Sequence, residues 1–465
     1  MESYDVGQLK LMIEKVNYLF DKREQEDLRD QIVKDIYINA EKIAESNVKK
    51  DQKEGLNLEE RIDNILTSKW LGFPVMLLVL GVVFWLTLVG ANYPSQILAT
   101  GLFWLEDRLN DLFIGVGAPN WLRGVLVMGV YRTMAWVIAV MLPPMAIFFP
   151  LFTLMEDLGY LPRVAFNLDN FFKKAGAHGK QALTMSMGLG CNAAGIVAAR
   201  IIESPREKFI AILTNNFVPC NGRFPTLIIL ASIFMGSFAG SFYSSLIAAA
   251  VVVGLVLVGI VTTLIVSWGL SKTLLKGVPS SFSLELPPYR KPQLGRILVR
   301  SFLDRTLFVL WRAVVVAAPA GGIVWILANI HIGGVDIITH LANLVDPFAV
   351  LLGLDGFILM AFILGLPANE IVLPILIMSY LSTGVMIEPE SAESLRNILV
   401  SNGWTWVTAL SAMLFSLLHF PCGTTLLTIR KETGSIKWSG IALVITTVIA
   451  VIVTFAFNQL VHLLL

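Results

Sequence analysis

Apolar runs long enough to cross a bilayer recur along this chain, and several are interrupted by glycine and proline. The first extends from Leu71 to Ala91 and the last from Ile441 to Leu465. A helix needs about 20 apolar residues to span the hydrocarbon core. Hydrophobic residues make up 55% of the chain and charged ones 15%, against about a quarter charged in soluble domains. A soluble fold is excluded. The expected fold class is an all-α polytopic membrane protein whose first partner is the lipid bilayer. Inside a bilayer, irregular backbone is tolerated only where protein buries it or where it lines a water-filled route. The breaks, more than the runs, therefore locate function.

Residues 1–68 are polar and read as a small cytoplasmic helical segment. LKLMIEKVNYLF and LRDQIVKDIYINAEKIAE place apolar residues three and four apart, the helical period. No signal peptide precedes the first run, so the amino terminus is expected in the cytoplasm. Lys and Arg concentrate in cytoplasmic loops, which orients the rest. Residues 69–123 read as a first transmembrane helix and an external amphipathic segment. Residues 124–155 return to the inside. Lys173, Lys174 and Lys180 precede the segment 181–199, and Arg200, Arg206 and Lys208 follow it, so it begins and ends on one side as a re-entrant hairpin. The spans 209–235 and 241–271 then lead to a basic cytoplasmic loop, 272–305. After 306–330, the broken segment 356–381 has flanks poor in Lys and Arg, which makes it a hairpin from the outside. Residues 403–427 and 438–464 end the chain, with the carboxy terminus outside.

Residues 124–271 and 306–465 thus repeat helix, broken hairpin, helix, helix in opposite orientation. GLGCN at 188–192 pairs with GLPAN at 365–369, and VPCNG at 218–222 with FPCGT at 420–424. Chance likeness of short Gly/Pro strings is the other reading. Inverted repeats with broken helices bind their cargo near the midplane.

Polar groups at membrane depth are costly and mark pathways. They gather at four places: Cys191 and Asn192; Asn215, Asn216, Cys220, Asn221 and Arg223; Asn369 and Glu370; His419, Cys422, Thr424 and Thr425. All three cysteines are in this set and are too few for a disulfide framework. One buried cysteine is ordinarily a small apolar filler, but three at matching breaks suggest a shared metal site of Cys191, Cys220, Cys422, Asn192, Asn369 and Glu370. Asn216, Asn221, His419 and Thr424 would line the pathway. Soft sulfur suits copper(I) or zinc as well as iron, so ligand type does not name the metal. Glu370 reads either as a cation or proton carrier or as a structural partner of Arg223. His419 reads either as a ligand or as a neutral histidine donating to a carbonyl. Met185 and Met187 read as core.

A net charge of +1, from 35 Lys and Arg against 34 Asp and Glu, gives no reason to expect nucleic acid. The residues contain no GxxxxGK[ST] loop and no HExxH, so the chain reads as a transporter with no catalytic residues rather than an enzyme.

Residues 186–203 (SMGLGCNAAGIVAARIIE), 217–226 (FVPCNGRFPT), 284–289 (LELPPY) and 420–438 (FPCGTTLLTIRKETGSIKW) together resemble the membrane region of the ferrous iron transport protein B family. LMEDLGYLPRVAF at 154–166 and RIDNILTSKWLGFPVMLLVL at 61–80 resemble it too. The resemblance implies two opposed Gate modules, import of iron(II) as substrate across the bacterial inner membrane with no permanent cofactor, and pathway cysteines at Cys191, Cys220 and Cys422. It also implies a GTP-binding domain, here expected as a separate small GTPase docking on residues 1–68. A small cytoplasmic accessory protein and a homo-oligomer are the remaining partners it suggests. The family's GCNVPAI reads GCNAAGI here, and its second Gate lysine is missing beside Glu370. A Gate-type nucleoside or organic-solute carrier and a non-transporting membrane assembly protein are the rival readings.

Overall fold

In the computed structural model the described residues are helical apart from turns, short extended breaks and two strands of two residues each. The structure describes residues 58–68, 70–236, 241–276, 301–387 and 392–464, and parts of 31–46 and 293–299. The first expected amphipathic stretch, LKLMIEKVNYLF, lies outside the described residues, as does most of the basic loop 272–305. The described part of 31–46 is helical and exposed. Helix α1 (Leu58–Leu66) follows it.

Among the described residues six helices are long and apolar enough to cross a membrane, or seven if one bent pair counts as a span. Helix α2 (Gly72–Gly115) runs 44 residues without a break. The sequence suggested a span followed by a separate amphipathic piece, and the structure joins them. Pro94 does not end the helix, because a single proline removes one backbone bond while tertiary packing holds the rest. Helix α3 (Asn120–Asp157) contains Pro143, Pro144 and Pro150 and a π-helical stretch at Gly124–Tyr131. Helix α4 (Tyr160–Lys174) is strongly amphipathic, as suits a helix lying along an interface.

The first hairpin is α5 (Gln181–Gly190) and α6 (Asn192–Ile201), broken at Cys191. Helices α7 (Pro205–Thr214) and α8 (Phe224–Met235) then flank the break at 218–223, and α9 (Ser241–Lys272) closes the repeat. The second repeat opens with α10 (Ser301–Asn329). Strands β1 (His331–Ile332) and β2 (Val335–Asp336) form a tight antiparallel pair. Helix α11 (Ile337–Leu351) bends by 110° into α12 (Gly356–Leu364). Asp336 and Asp355 cap these two helices, each accepting from a backbone N–H three residues on. Helices α13 (Asn369–Leu381), α14 (Ala392–Ser401), α15 (Trp406–Leu418), α16 (Gly423–Thr433) and α17 (Ile436–Leu464) complete the order.

The paired strings also match locally in the backbone. Cys191 and Ala368, paired by GLGCN and GLPAN, adopt the same extended conformation, φ −155°, ψ 125° and φ −152°, ψ 121°. In each half a backbone bond ties the hairpin break to the later break of the same half: Asn221 N–H donates to Gly190 O at 3.2 Å, and Gly423 N–H to Leu366 O at 2.7 Å. The two donors occupy matching positions of VPCNG and FPCGT.

One apolar core runs through both repeats. At their junction α3 packs on α10 through glycine. A Cβ on Gly321 would overlap Thr133 and the Gly129 carbonyl, and a Cβ on Gly129 would lie 2.9 Å from Trp325 Cβ. Lipid tails are as apolar as leucine, so membrane helices associate through this kind of close backbone approach.

Candidate functional site

The four breaks meet in the middle of the molecule. Helices α5, α7, α12 and α15 end there and α6, α8, α13 and α16 begin there, so unsatisfied carbonyls and unsatisfied N–H groups both face the junction. A small cavity of about 30 Å³ lies at this point. Its walls include Cys191, Asn192, Cys220, Asn369, Glu370, Cys422 and Thr424. Six of these are the residues the sequence grouped as a metal site, and the seventh is one of its pathway residues.

Each side chain is aimed by its break. Cys191 and Cys220 are buried and Cys422 is partly so, and all three are free thiols. Cys422 Sγ lies 3.1 Å from Thr425 Oγ1, and Asn369 Nδ2 points at Cys220 Sγ from 3.9 Å. The amides of Asn192 and Asn216 meet at 3.0 Å. Asn369 Oδ1 and Thr424 Oγ1 are buried without a hydrogen-bond partner, which is unusual for native polar atoms and marks acceptors free for a cation or water. Glu370 reaches the cavity because Gly222 faces it; a Cβ there would overlap its carboxylate.

Arg223 takes a different role from the one the sequence suggested. Among the described residues it forms no ion pair with Glu370. Its guanidinium, buried to 1% exposure, donates to the carbonyls of Asn216 and Leu417 at 2.9 and 2.8 Å and of His419 and Phe420 at 3.1 and 3.2 Å. It therefore caps the carboxy-terminal end of α15 from the other repeat.

Asn216, Asn221 and His419 lie outside the cavity wall. Asn216 Nδ2 donates to His419 O at 2.8 Å, and Asn221 contributes its backbone N–H to the hairpin. His419 Nδ1 lies 2.8 Å from Ser416 O, which fixes it as a donor, and the ring packs against Phe362, Phe415 and Phe420. Of its two readings, the neutral histidine bonded to a carbonyl fits this placement. Met141 and Met145 of α3 also line the cavity. The signal that could have found them is the MLPPM string, whose paired prolines mark an irregular point on the helix. Met185 lies instead on a separate apolar cavity of about 340 Å³ between α2, α4, α5 and α9.

Among the described residues no three His, Cys, Asp or Glu side chains are close enough to hold a metal ion as they stand. A volume of about 30 Å³ matches one water's share of the liquid. The arrangement is a narrow junction ringed by sulfur, amide, hydroxyl and carboxylate groups.

The Gate family model, described as nucleoside recognition, matches residues 138–234 and again 310–436, one stretch in each repeat. A second model, the ferrous iron transport protein B carboxy-terminal region, matches 252–304. The chain resembles the membrane region of that transporter family. A Staphylococcus aureus relative, Fe(2+) transporter FeoB, is 30% identical over 415 residues, covering 87% of this chain and 59% of its own length. A Methanocaldococcus jannaschii protein of the same name is 26% identical over 447 residues, 93% of this chain and 63% of its own. A Porphyromonas gingivalis relative, at 28% identity over 451 residues and covering 87% of this chain and 51% of its own length, is a fusion of Fe(2+) transport protein A with that transporter. The chain therefore spans about three-fifths of the S. aureus and M. jannaschii relatives and about half of the fusion. No solved structure matches.

Proposed function

We propose that this chain is the membrane permease of a ferrous iron uptake system, carrying iron(II) or a related divalent metal across the bacterial cytoplasmic membrane. The convergence of Cys191, Cys220, Cys422, Asn192, Asn369 and Glu370 on one junction of broken helices supports the reading. Thiolate, amide and carboxylate form a donor set suited to a borderline transition metal, and broken half-helices at a repeat interface are where transporters hold their cargo. Among the described residues the cavity wall includes no aromatic ring on which a nucleobase would stack, which disfavours the organic-solute alternative.

The narrow geometry requires the half-helices to part before an ion can be held by several ligands together. A GTPase acting from the cytoplasmic side is the expected driver. A small accessory protein joins it by analogy with the fused relative.

The test is metal uptake into liposomes holding the purified chain under reducing conditions, wild type beside the Cys191→Ser, Cys220→Ser, Cys422→Ser triple variant. Iron(II) flux that the triple variant loses, with its folding unchanged, supports the permease. Equal flux in both would sink the cysteine route. Recovery of a nucleotide-binding protein with the intact chain from its own membranes tests the GTPase.

A further inference from the structure

Two of the half-helices that start at the cavity end side by side at the surface. Helix α6 begins at Asn192, beside Cys191, and α16 at Gly423, beside Cys422; the two pack together along their length. Asn192, Ile196 and Arg200 are spaced by four, as are Thr424, Thr428 and Glu432, so each set lies along one helix face. Asn192 and Thr424 line the cavity. Ile196 and Thr428, one turn on, are 1% and 0% exposed. At the far end Arg200 grips Glu432 with two bonds, Nε to Oε2 at 2.7 Å and Nη2 to Oε1 at 2.6 Å.

This ion pair differs from an ordinary surface pair. The Arg200 side chain is 59% exposed, whereas Glu432 is only 5% exposed. The carboxylate is shielded from solvent while its counterion lies over it on the solvent side. A shielded carboxylate is favoured by a cation beside it. A mobile divalent ion could fill the same place when the arginine swings out.

We propose that α6 and α16 bound a cation route from the cysteine junction to the surface, in which Glu432 is the last binding carboxylate and Arg200 is the tethered cation that occupies it while the route is closed. The proposal rests on the permease reading above. Thr428, whose hydroxyl also accepts from Arg312 Nη1 at 3.0 Å, lies about midway along the roughly 12 Å from Thr424 to Glu432 at 1.5 Å per residue. Opening requires Arg200 to release and α6 to part from α16. A divalent ion then passes from sulfur and amide donors to a carboxylate, a harder oxygen ligand that holds it less tightly for a borderline metal.

The two partners therefore have unequal parts, and that inequality is the test. In liposomes holding the intact chain, Glu432→Gln should slow iron(II) uptake by about tenfold or more, ~1.4 kcal/mol in the barrier. Arg200→Gln, which removes the tethered cation, should raise the rate. A second readout needs no transport: Thr428→Cys should react with a membrane-impermeant maleimide several-fold faster when combined with Arg200→Gln than alone, relative to a parent without the added cysteine. Equal slowing by Arg200→Gln and Glu432→Gln, or labelling unmoved by Arg200→Gln, would overturn the route and leave a plain structural pair. If the wild-type chain carries no metal, the permease reading fails, and the labelling alone decides whether the route exists.

Discussion

Replacing Arg223 should loosen the two repeats from one another. Its guanidinium joins residues of one repeat to three carbonyls of the other and to that of Asn216. Arg223→Met keeps the length and much of the volume of the side chain while removing every donor. At about 0.6 kcal/mol per interhelical bond in a membrane protein and up to about 1.5 for a net bond at the top of the general range, four bonds imply a loss of roughly 2–6 kcal/mol. Reversible unfolding in mixed detergent micelles, followed by tryptophan fluorescence, measures it. Arg223→Lys should recover less than half, because a compact ammonium cannot serve four acceptors arranged around a planar fork. A loss below about 0.5 kcal/mol for Arg223→Met, or full recovery by lysine, would show that charge or packing holds α15 in place, and the capping argument would fall.

Gly321→Leu should destabilise the chain by about 3 kcal/mol or more and lower its yield in the membrane, since its Cβ would overlap Thr133 and the Gly129 backbone; unchanged thermal stability in detergent would contradict the close approach of α3 and α10. Asp63→Ala should free the end of α1, because Arg163 Nε and Nη2 reach Asp63 at 3.0 and 3.2 Å, at a cost of about 1–3 kcal/mol for a buried charged donor; faster proteolysis around residues 58–68 is the expected reading. Burial pushes the pKa of His178 below its usual value, and its Nδ1 accepts from Lys180 N–H at 3.0 Å. The unfolded chain then binds the proton more readily than the folded one, so stability should be level above about pH 6.5 and fall as pH drops through that value, flattening below the folded pKa. His178→Gln should remove this part of the acid slope in a pH series of unfolding curves.

The breaks were legible because Gly, Pro and Asn inside an apolar run contradict a membrane helix locally, within a window of five residues. GLGCN and FPCGT carry their meaning in the string itself. The role of Arg223 was not legible, since the sequence offers Glu370 as the obvious counter-charge and says nothing of a helix end arriving from almost 200 residues away. The same distance hid Arg200 and Glu432, each of which reads alone as an ordinary interface charge. The continuous 44-residue α2 was missed for a different reason. Asp107, Arg108 and Asp111 lower its hydropathy without breaking the helical hydrogen bonds, so polarity imitated a boundary that the backbone does not have.

The capping of α15 and the single bonds across the breaks divide the molecule mechanically. The end of α15 is fastened by three hydrogen bonds from one rigid, fully enclosed group, whereas among the described residues the start of α16, a few residues on, is joined to its hairpin by one backbone bond, Gly423 N–H to Leu366 O. The start of α8 region likewise meets its hairpin through the one bond from Asn221. Local opening follows the weakest fastening. The half-helix ending at the junction should therefore behave as a fixed frame and the one leaving it as a moving arm, with the cysteine of FPCGT sitting at the pivot between them.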